Sequence, residues 1–259
     1  MPRFAANLSM MFTEHPFLDR FDAAAAAGFT AVEFLFPYEH PPEVIAERLQ
    51  RNDLQQVLFN LPPGDWEAGE KGFAARPDKF DELRQSVHTA LPYVKATGVR
   101  RLHMMAGLAD RRDPKAVEAF RKSVEWTANF FGDQGIDVML EPINKRDVPG
   151  YFLNDFEFAR DLIVDMKIPN VGLQFDIYHC QILHGDVTMR LHEMLPLIGH
   201  IQIASVPSRH EPGEELNYPF LFAELDRLGY EHYIGCEYRP AAGTVAGLGW
   251  FSPYAAVKQ

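Results

Sequence analysis

The chain has 259 residues, is 47% hydrophobic and 24% charged, and carries a formal net charge of -11. No Pro/Gly/Ser-rich linker or charge block divides it, so one large α/β domain over residues 1–259 is the simplest organisation. The acidic balance opposes non-specific contact with nucleic acid or an anionic membrane surface, and neither is expected as a partner.

Residues 4–8 (Phe4-Ala5-Ala6-Asn7-Leu8) form the first predicted strand, followed by a loop through Met10, Met11 and Phe12. Apolar residues at helical spacing from Pro16, through Phe17, Phe21 and an alanine run, predict a helix that stops at Gly28. Strand two covers 30–36 and ends at Pro37, and a helix opens at Pro42 and runs to Asn52. Strand three covers 54–60. The loop 61–76 is long for a compact domain, and its Trp66 is a candidate lid. A helix from about 77 to 97 stops at Gly98; strand four covers 101–105 and a helix spans 114–131.

Four further strands each deliver one oxygen donor. The strand opening at Asp137 presents Glu141 and stops at Pro142. The strand 171–176 ends in Asp176, the strand 200–204 carries Gln202, and the strand 233–237 ends in Glu237. Helices near 154–166, 188–195 and 218–228 separate them, and a last turn follows Gly247. Eight alternations of strand and helix in a chain of this length predict a (β/α)8 TIM barrel. The first strand is not followed by a Gly-x-Gly-x-x-Gly turn, which argues against a dinucleotide-binding sheet.

Two cysteines, Cys180 and Cys236, make no disulfide framework, and no apolar run reaches membrane-spanning length. The N-terminal residues lack a signal peptide's apolar region, so a cytoplasmic location is expected.

Such a barrel places its active site at the C-terminal ends of its strands. Taken singly, each donor has an ordinary explanation: a glutamate in a solvated loop, Asp176 as a helix cap, Gln202 as a core amide. Recurrence on four successive strands points instead to one site. Three carboxylates and an amide oxygen are hard donors suited to Mg2+ or Mn2+, with Glu141, Asp176, Gln202 and Glu237 as ligands. An ion there polarises a carbonyl and the hydroxyl beside it, and acidifies the C–H between them. Glu141 and Glu237 then fit acid/base transfer on an α-hydroxy carbonyl compound, the chemistry of an isomerase or epimerase.

Phe4-Ala5-Ala6-Asn7-Leu8-Ser9, Asn60-Leu61-Pro62-Pro63-Gly64-Asp65, Glu141-Pro142-Ile143-Asn144, Asp176-Ile177-Tyr178-His179, His200-Ile201-Gln202-Ile203-Ala204, Arg209-His210-Glu211-Pro212-Gly213 and Ile234-Gly235-Cys236-Glu237-Tyr238 resemble the hydroxypyruvate isomerase family. That family belongs with the xylose-isomerase-like barrels, and a close relative is 2-oxotetronate isomerase. The resemblance covers nearly the whole chain. It implies that Glu141 and Glu237 are the acid/base pair, that Asp176 and Gln202 complete a metal shell, and that the protein is a homo-oligomer. Histidine usually stands in the wider superfamily where this chain has Gln202, which weakens a zinc assignment.

The reaction so implied converts hydroxypyruvate to tartronate semialdehyde through an enediolate, or 2-oxotetronate to 3-oxotetronate by the same step. Both substrates are small anions, so cations are needed, and Lys145, Arg209, His210 and Arg239 lie just beyond strand ends. Arg209 is the best of them, because a guanidinium grips a carboxylate in two places. His179 is expected to donate to a substrate oxygen or orient a ligand, Asn7 and Asn60 to contact substrate, and Glu33 to meet His179 or a substrate hydroxyl. His103 is expected in the core or behind the site, and Cys236 points away from it. The rival readings are a metal-dependent endonuclease on the same barrel and a sugar-acid binding protein without turnover.

Overall fold

The structure is a computed structural model that describes residues 1–255, so the last four residues of the expected domain lie outside the described residues. Eight parallel strands close in sequence order: β1 (Arg3–Asn7), β2 (Ala31–Glu33), β3 (Gln55–Asn60), β4 (Arg101–His103), β5 (Asp137–Leu140), β6 (Val171–Asp176), β7 (Ile198–Gln202) and β8 (Tyr233–Cys236). β1 closes the cylinder against β8, with Arg3 opposite Tyr233 and Ala6 opposite Cys236. Every strand predicted from the sequence is present, so the expected (β/α)8 TIM barrel is the observed architecture.

Helices α1 (Arg20–Ala26), α2 (Pro42–Arg51), α3 (Phe80–Thr97), α4 (Pro114–Gly132) and α5 (Phe156–Met166) alternate with the first six strands. Their ends follow local chemistry. The Asp113 carboxylate accepts from the Lys115 N–H at the start of α4, and Asp155 accepts from the Phe158 N–H at the start of α5. Gly98 takes the left-handed φ of 69° that ends α3. α3 starts three residues later than the pattern suggested, because residues 76–79 form turns before the first helical bond. Two helices, α6 (Ile177–Leu183) and α7 (Val187–Met194), follow β6. A cap at Asp176 is among the readings of the sequence, but α6 itself, seven residues long, is too short for a periodic apolar signal. α8 (Tyr218–Arg227) precedes β8, and α9 (Thr244–Gly247) follows it.

The main core lies between barrel and helices. Phe4 shows how it is made: its ring meets those of Phe222, Trp250, Phe251 and Tyr254 edge-on, at centroid distances of 4.9, 5.0, 6.1 and 5.0 Å. A smaller cluster of Ala5, Ala31, Val57, Leu58 and Met139 packs separately. Strand alternation carries this inner face one step further along each strand, to Asn7, Glu33 and Glu141. A side chain at Gly235 would overlap the Glu33 carboxylate, so the bare backbone of β8 makes room for a buried acid. No helix among the described residues is long and apolar enough to cross a membrane.

Candidate active site

β5 and β8 each stop one residue short of a glutamate, and β6 ends on an aspartate. Glu141, Asp176 and Glu237 therefore converge at the C-terminal mouth of the barrel. Together with His179 from the first turn of α6, they each offer a ligand atom, and these atoms all lie within 4.8 Å of one another. All four residues are buried. The two glutamates are thus close enough to act on one small molecule.

Asp176 has two jobs. Its Oδ1 accepts from the Tyr178 N–H at 2.8 Å and caps α6, while Oδ2 has no hydrogen-bond partner. Glu141 Oε1 is likewise buried and unpartnered. Buried carboxylate oxygens without donors are costly unless a cation or a substrate donor meets them. Three carboxylates suit a hard divalent ion, and the unpartnered oxygens are placed to take one.

The electrostatics match. Burial, then the charges of Glu237 and Asp176, push the Glu141 carboxyl well above its usual range. Burial raises Glu237 to about 8 against the opposing pull of Arg209, and Asp176 to about 6 against the same guanidinium. Burial works against the charge of Arg209, but Glu237, Asp176 and Asp147 outweigh it and hold the side chain protonated. Its Nη2 donates to Glu237 Oε2 at 2.7 Å and stands 3.8 Å from Asp176 Oδ2; its Nη1 donates to Asp147 Oδ2 at 2.9 Å. The same guanidinium lies 4.7 Å over the Tyr178 ring.

Glu141, His179, Arg209 and Glu237 form one wall of a cavity of about 320 Å3 that Met10, Leu35, Asn60, Trp66, Ile143 and Arg239 also line, with Asp176 behind it. That space is ample for an acid of three or four carbons. Arg239 has no side-chain hydrogen bond or ion pair among the described residues, which leaves its guanidinium available to an anion at the mouth. Trp66 is 40% exposed on the cavity wall, with the Lys71 ammonium 3.3 Å above its ring.

Not every expected residue reaches this point. Gln202 departs from the predicted ligand set: its Oε1 accepts from Gln174 Nε2 at 2.6 Å, and its Nε2 donates to Glu33 Oε1 at 2.8 Å. Both ends of the amide are committed to a polar layer inside the barrel. Glu33 belongs to that layer rather than to His179 or the cavity, and it shares a 2.6 Å hydrogen bond with His200 Nε2. Asn7 is drawn in as well, donating to Glu33 Oε1 at 2.9 Å and accepting from the Ser9 N–H. Asn60 does line the cavity. His210 is occupied by the Arg239 carbonyl through Nδ1 at 2.7 Å, which ties two loops together. Lys145 is exposed and lines a different groove, beside Arg111 and Arg112. His103 lies against the site, with Nδ1 3.3 Å from Glu141 Oε2; burial and the neighbouring His200 lower it to about 3, so it is neutral.

The sequence reading gave no role to Asp147 or Asn144. Asp147 holds both Arg209 and the Tyr178 hydroxyl, the latter at 3.2 Å. Its only sequence signal was its position in the loop after β5, six residues beyond Glu141.

The profile of the xylose isomerase-like TIM barrel family matches residues 21–254. A 2-oxo-tetronate isomerase from Cupriavidus necator is 54% identical over 98% of this chain and 99% of its own length. A hydroxypyruvate isomerase from Escherichia coli is 40% identical over 98% of this chain and 100% of its own. Among solved structures, one from Brucella melitensis described as an AP endonuclease, family 2, superposes with a TM-score of 0.96 at 49% identity, covering 98% of this chain and 100% of that one. An L-ribulose 3-epimerase at 19% identity shares the fold, with a TM-score of 0.72 over 100% of this chain and 89% of its own. Matched along almost its full length in sequence and in architecture, the chain belongs to the xylose isomerase-like TIM barrel family, in the group that contains the hydroxypyruvate and 2-oxo-tetronate isomerases.

Proposed function

We propose that the protein isomerises a small 2-oxo acid, converting hydroxypyruvate to tartronate semialdehyde with Glu141 and Glu237 as the proton-transfer pair. The observation that carries this is the meeting of two buried glutamates on one wall of a cavity that also presents Arg209 and Arg239. A binding protein has no need of two apposed buried carboxylates, each of which costs free energy to hold there.

Glu141, Asp176 and Glu237 would hold the divalent ion, Mg2+ or Mn2+ by the hardness of their oxygens. Such an ion, when bound, polarises the substrate's carbonyl and adjacent hydroxyl. One glutamate removes the proton from the hydroxymethyl carbon of hydroxypyruvate. The electron pair of that C–H bond passes into the enediolate, the hydroxyl proton moves from the hydroxymethyl oxygen to the former carbonyl oxygen, and the other glutamate delivers a proton to the former carbonyl carbon, which leaves the aldehyde. Arg239, with no internal partner among the described residues, is placed to take the substrate carboxylate, while Arg209 holds Glu237 in position.

A second reading, the isomerisation of 2-oxotetronate to 3-oxotetronate, draws support from relatives at 54% and 46% identity that carry that name. It needs the same residues and room for one further hydroxymethyl group. Side-by-side kcat/KM values on the two acids separate these readings. Turnover in D2O tests the reaction class: enolisation places solvent deuterium on carbon, and its absence from substrate and product would leave only binding. The net charge of -11 opposes a duplex-binding surface, and hence the nuclease reading.

The acidic cluster also predicts how stability responds to pH. The folded-state values of Glu237 and Asp176 lie above the ordinary 4.5 and 3.8, at about 8 and about 6. Their protonated forms suit the fold, so their contribution is complete below the ordinary values and is lost as pH rises to about 8. Metal-stripped protein should therefore melt at a lower temperature at about pH 8 than at about pH 5. Mg2+ or Mn2+ should restore the difference at the higher pH, because ligand carboxylates must be ionised to bind. Melting curves that respond to neither pH nor ion would remove the metal from this account.

A further inference from the structure

His179 has the position of a fourth metal ligand, yet its hydrogen bonds assign it another part. The key is Asn144, a fully buried residue in the loop after β5. Its side-chain oxygen accepts from two backbone donors, the N–H groups of Arg146 and Asp147, both at 2.9 Å. Backbone N–H groups cannot reverse their polarity, so the orientation of the amide is settled and its NH2 faces outward from this turn. That NH2 lies 2.7 Å from His179 Nδ1, and the Asn144 backbone N–H points at the same nitrogen from 3.3 Å.

A ring nitrogen that meets two donors must present its lone pair. An imidazole whose Nδ1 presents a lone pair carries its proton on the other ring nitrogen, Nε2. Nε2 lies 3.5 Å from Asp176 Oδ2 and 3.9 Å from Glu141 Oε1, and makes a hydrogen bond to neither. The proton is therefore unspent, on a residue that lines the cavity. Ligation through Nε2 would require the proton to move to Nδ1, where it would face the two Asn144 donors.

We propose that Asn144 is a positioning residue that holds His179 in its Nε2–H tautomer, so that His179 offers a hydrogen-bond donor to a substrate oxygen and does not ligate the metal. The ion then rests on Glu141, Asp176 and Glu237 alone among the clustered residues. The donor lies beside those carboxylates, where the negative charge of the enediolate develops. Only this last step rests on the isomerase reading; the tautomer does not.

The test reads the proton directly. Long-range 1H–15N correlation spectra of 15N-histidine-labelled protein distinguish the two neutral tautomers, and His179→Gln assigns the signal among the ten histidines. The wild-type protein should show the proton on Nε2, both metal-stripped and after addition of Mg2+. In Asn144→Asp one carboxylate oxygen keeps the turn while the other faces Nδ1 as an acceptor. The proton should move to Nδ1, and kcat should fall about 100-fold with a smaller change in KM, the usual loss for one donor to a developing oxyanion. A wild-type proton on Nδ1, with or without Mg2+, would overturn the proposal. So would full kcat in Asn144→Asp protein whose spectrum shows the moved proton. Because the spectrum needs no turnover, a protein inactive on both acids still reports the tautomer, and failure of the isomerase reading is seen separately.

Discussion

Glu141→Gln and Glu237→Gln should each lower kcat by about 1,000- to 10,000-fold, the upper part of the range for loss of a positioned acid or base. The change is nearly isosteric but removes the group that accepts or returns the proton. Neither variant should lose stability at about pH 8, since burial holds both carboxyls above their ordinary value and a neutral amide relieves that penalty. Kinetics and melting curves from the same preparations separate a chemical defect from a folding one. Deuterium exchange then divides the roles. If the substituted residue removes the first proton, exchange into substrate stops. If it returns the second, exchange continues while product does not appear. Near-normal turnover in either variant would take that residue out of the pair.

Arg209→Met should have the largest effect on stability. The guanidinium bonds Glu237 and Asp147 and stands near Asp176, and its side chain is only 12% exposed. Removing one partner of a buried charge cluster leaves the others uncompensated, at about 3–5 kcal/mol. Protonation of the orphaned carboxyls limits that loss, so the destabilisation should be greater at about pH 8 than at about pH 5. Activity should fall as well, because Glu237 loses the contact that orients it. Arg209→Lys keeps the charge but not the two-pronged grip on Asp147 and Glu237, and should recover stability more fully than rate. Chemical denaturation at the two pH values measures the first part. A variant equally stable at both would show that the ion pairs contribute little.

These residues also show where local sequence suffices. A carboxylate one step past an apolar run that ends in proline or turns into a helix will sit at a strand's C-terminal end, whatever the rest of the chain does. Closure of the barrel then needs only eight such runs, separated by helices with ordinary caps. Glu141, Asp176 and Glu237 were legible on those terms; Arg209 was legible as a cation at the mouth, but its guanidinium, expected to grip a substrate carboxylate, is held by Asp147 and Glu237. Gln202, expected among the ligands, instead has both ends of its amide hydrogen-bonded inside the barrel, for a related reason. Alternation turns it inward correctly, but alternation does not say whether an inward amide meets an ion or another side chain. Glu33 lies 169 residues away along the chain and takes its Nε2, while Gln174 on the adjoining strand takes its oxygen.

The chain of amino acids by itself determined the barrel, the rim on which chemistry occurs and the three acidic groups brought there, because strand period, helix caps and strand ends are properties of a few consecutive residues. Tertiary structure alone decided which inward polar groups satisfy one another and which remain open: Asn7 and Gln202 to Glu33, Arg209 between Asp147 and Glu237, Asn144 against His179. A hydrogen bond is made or lost within a fraction of an ångström and depends on which donor stands opposite across the closed barrel. That distance is set only when all eight strands have closed.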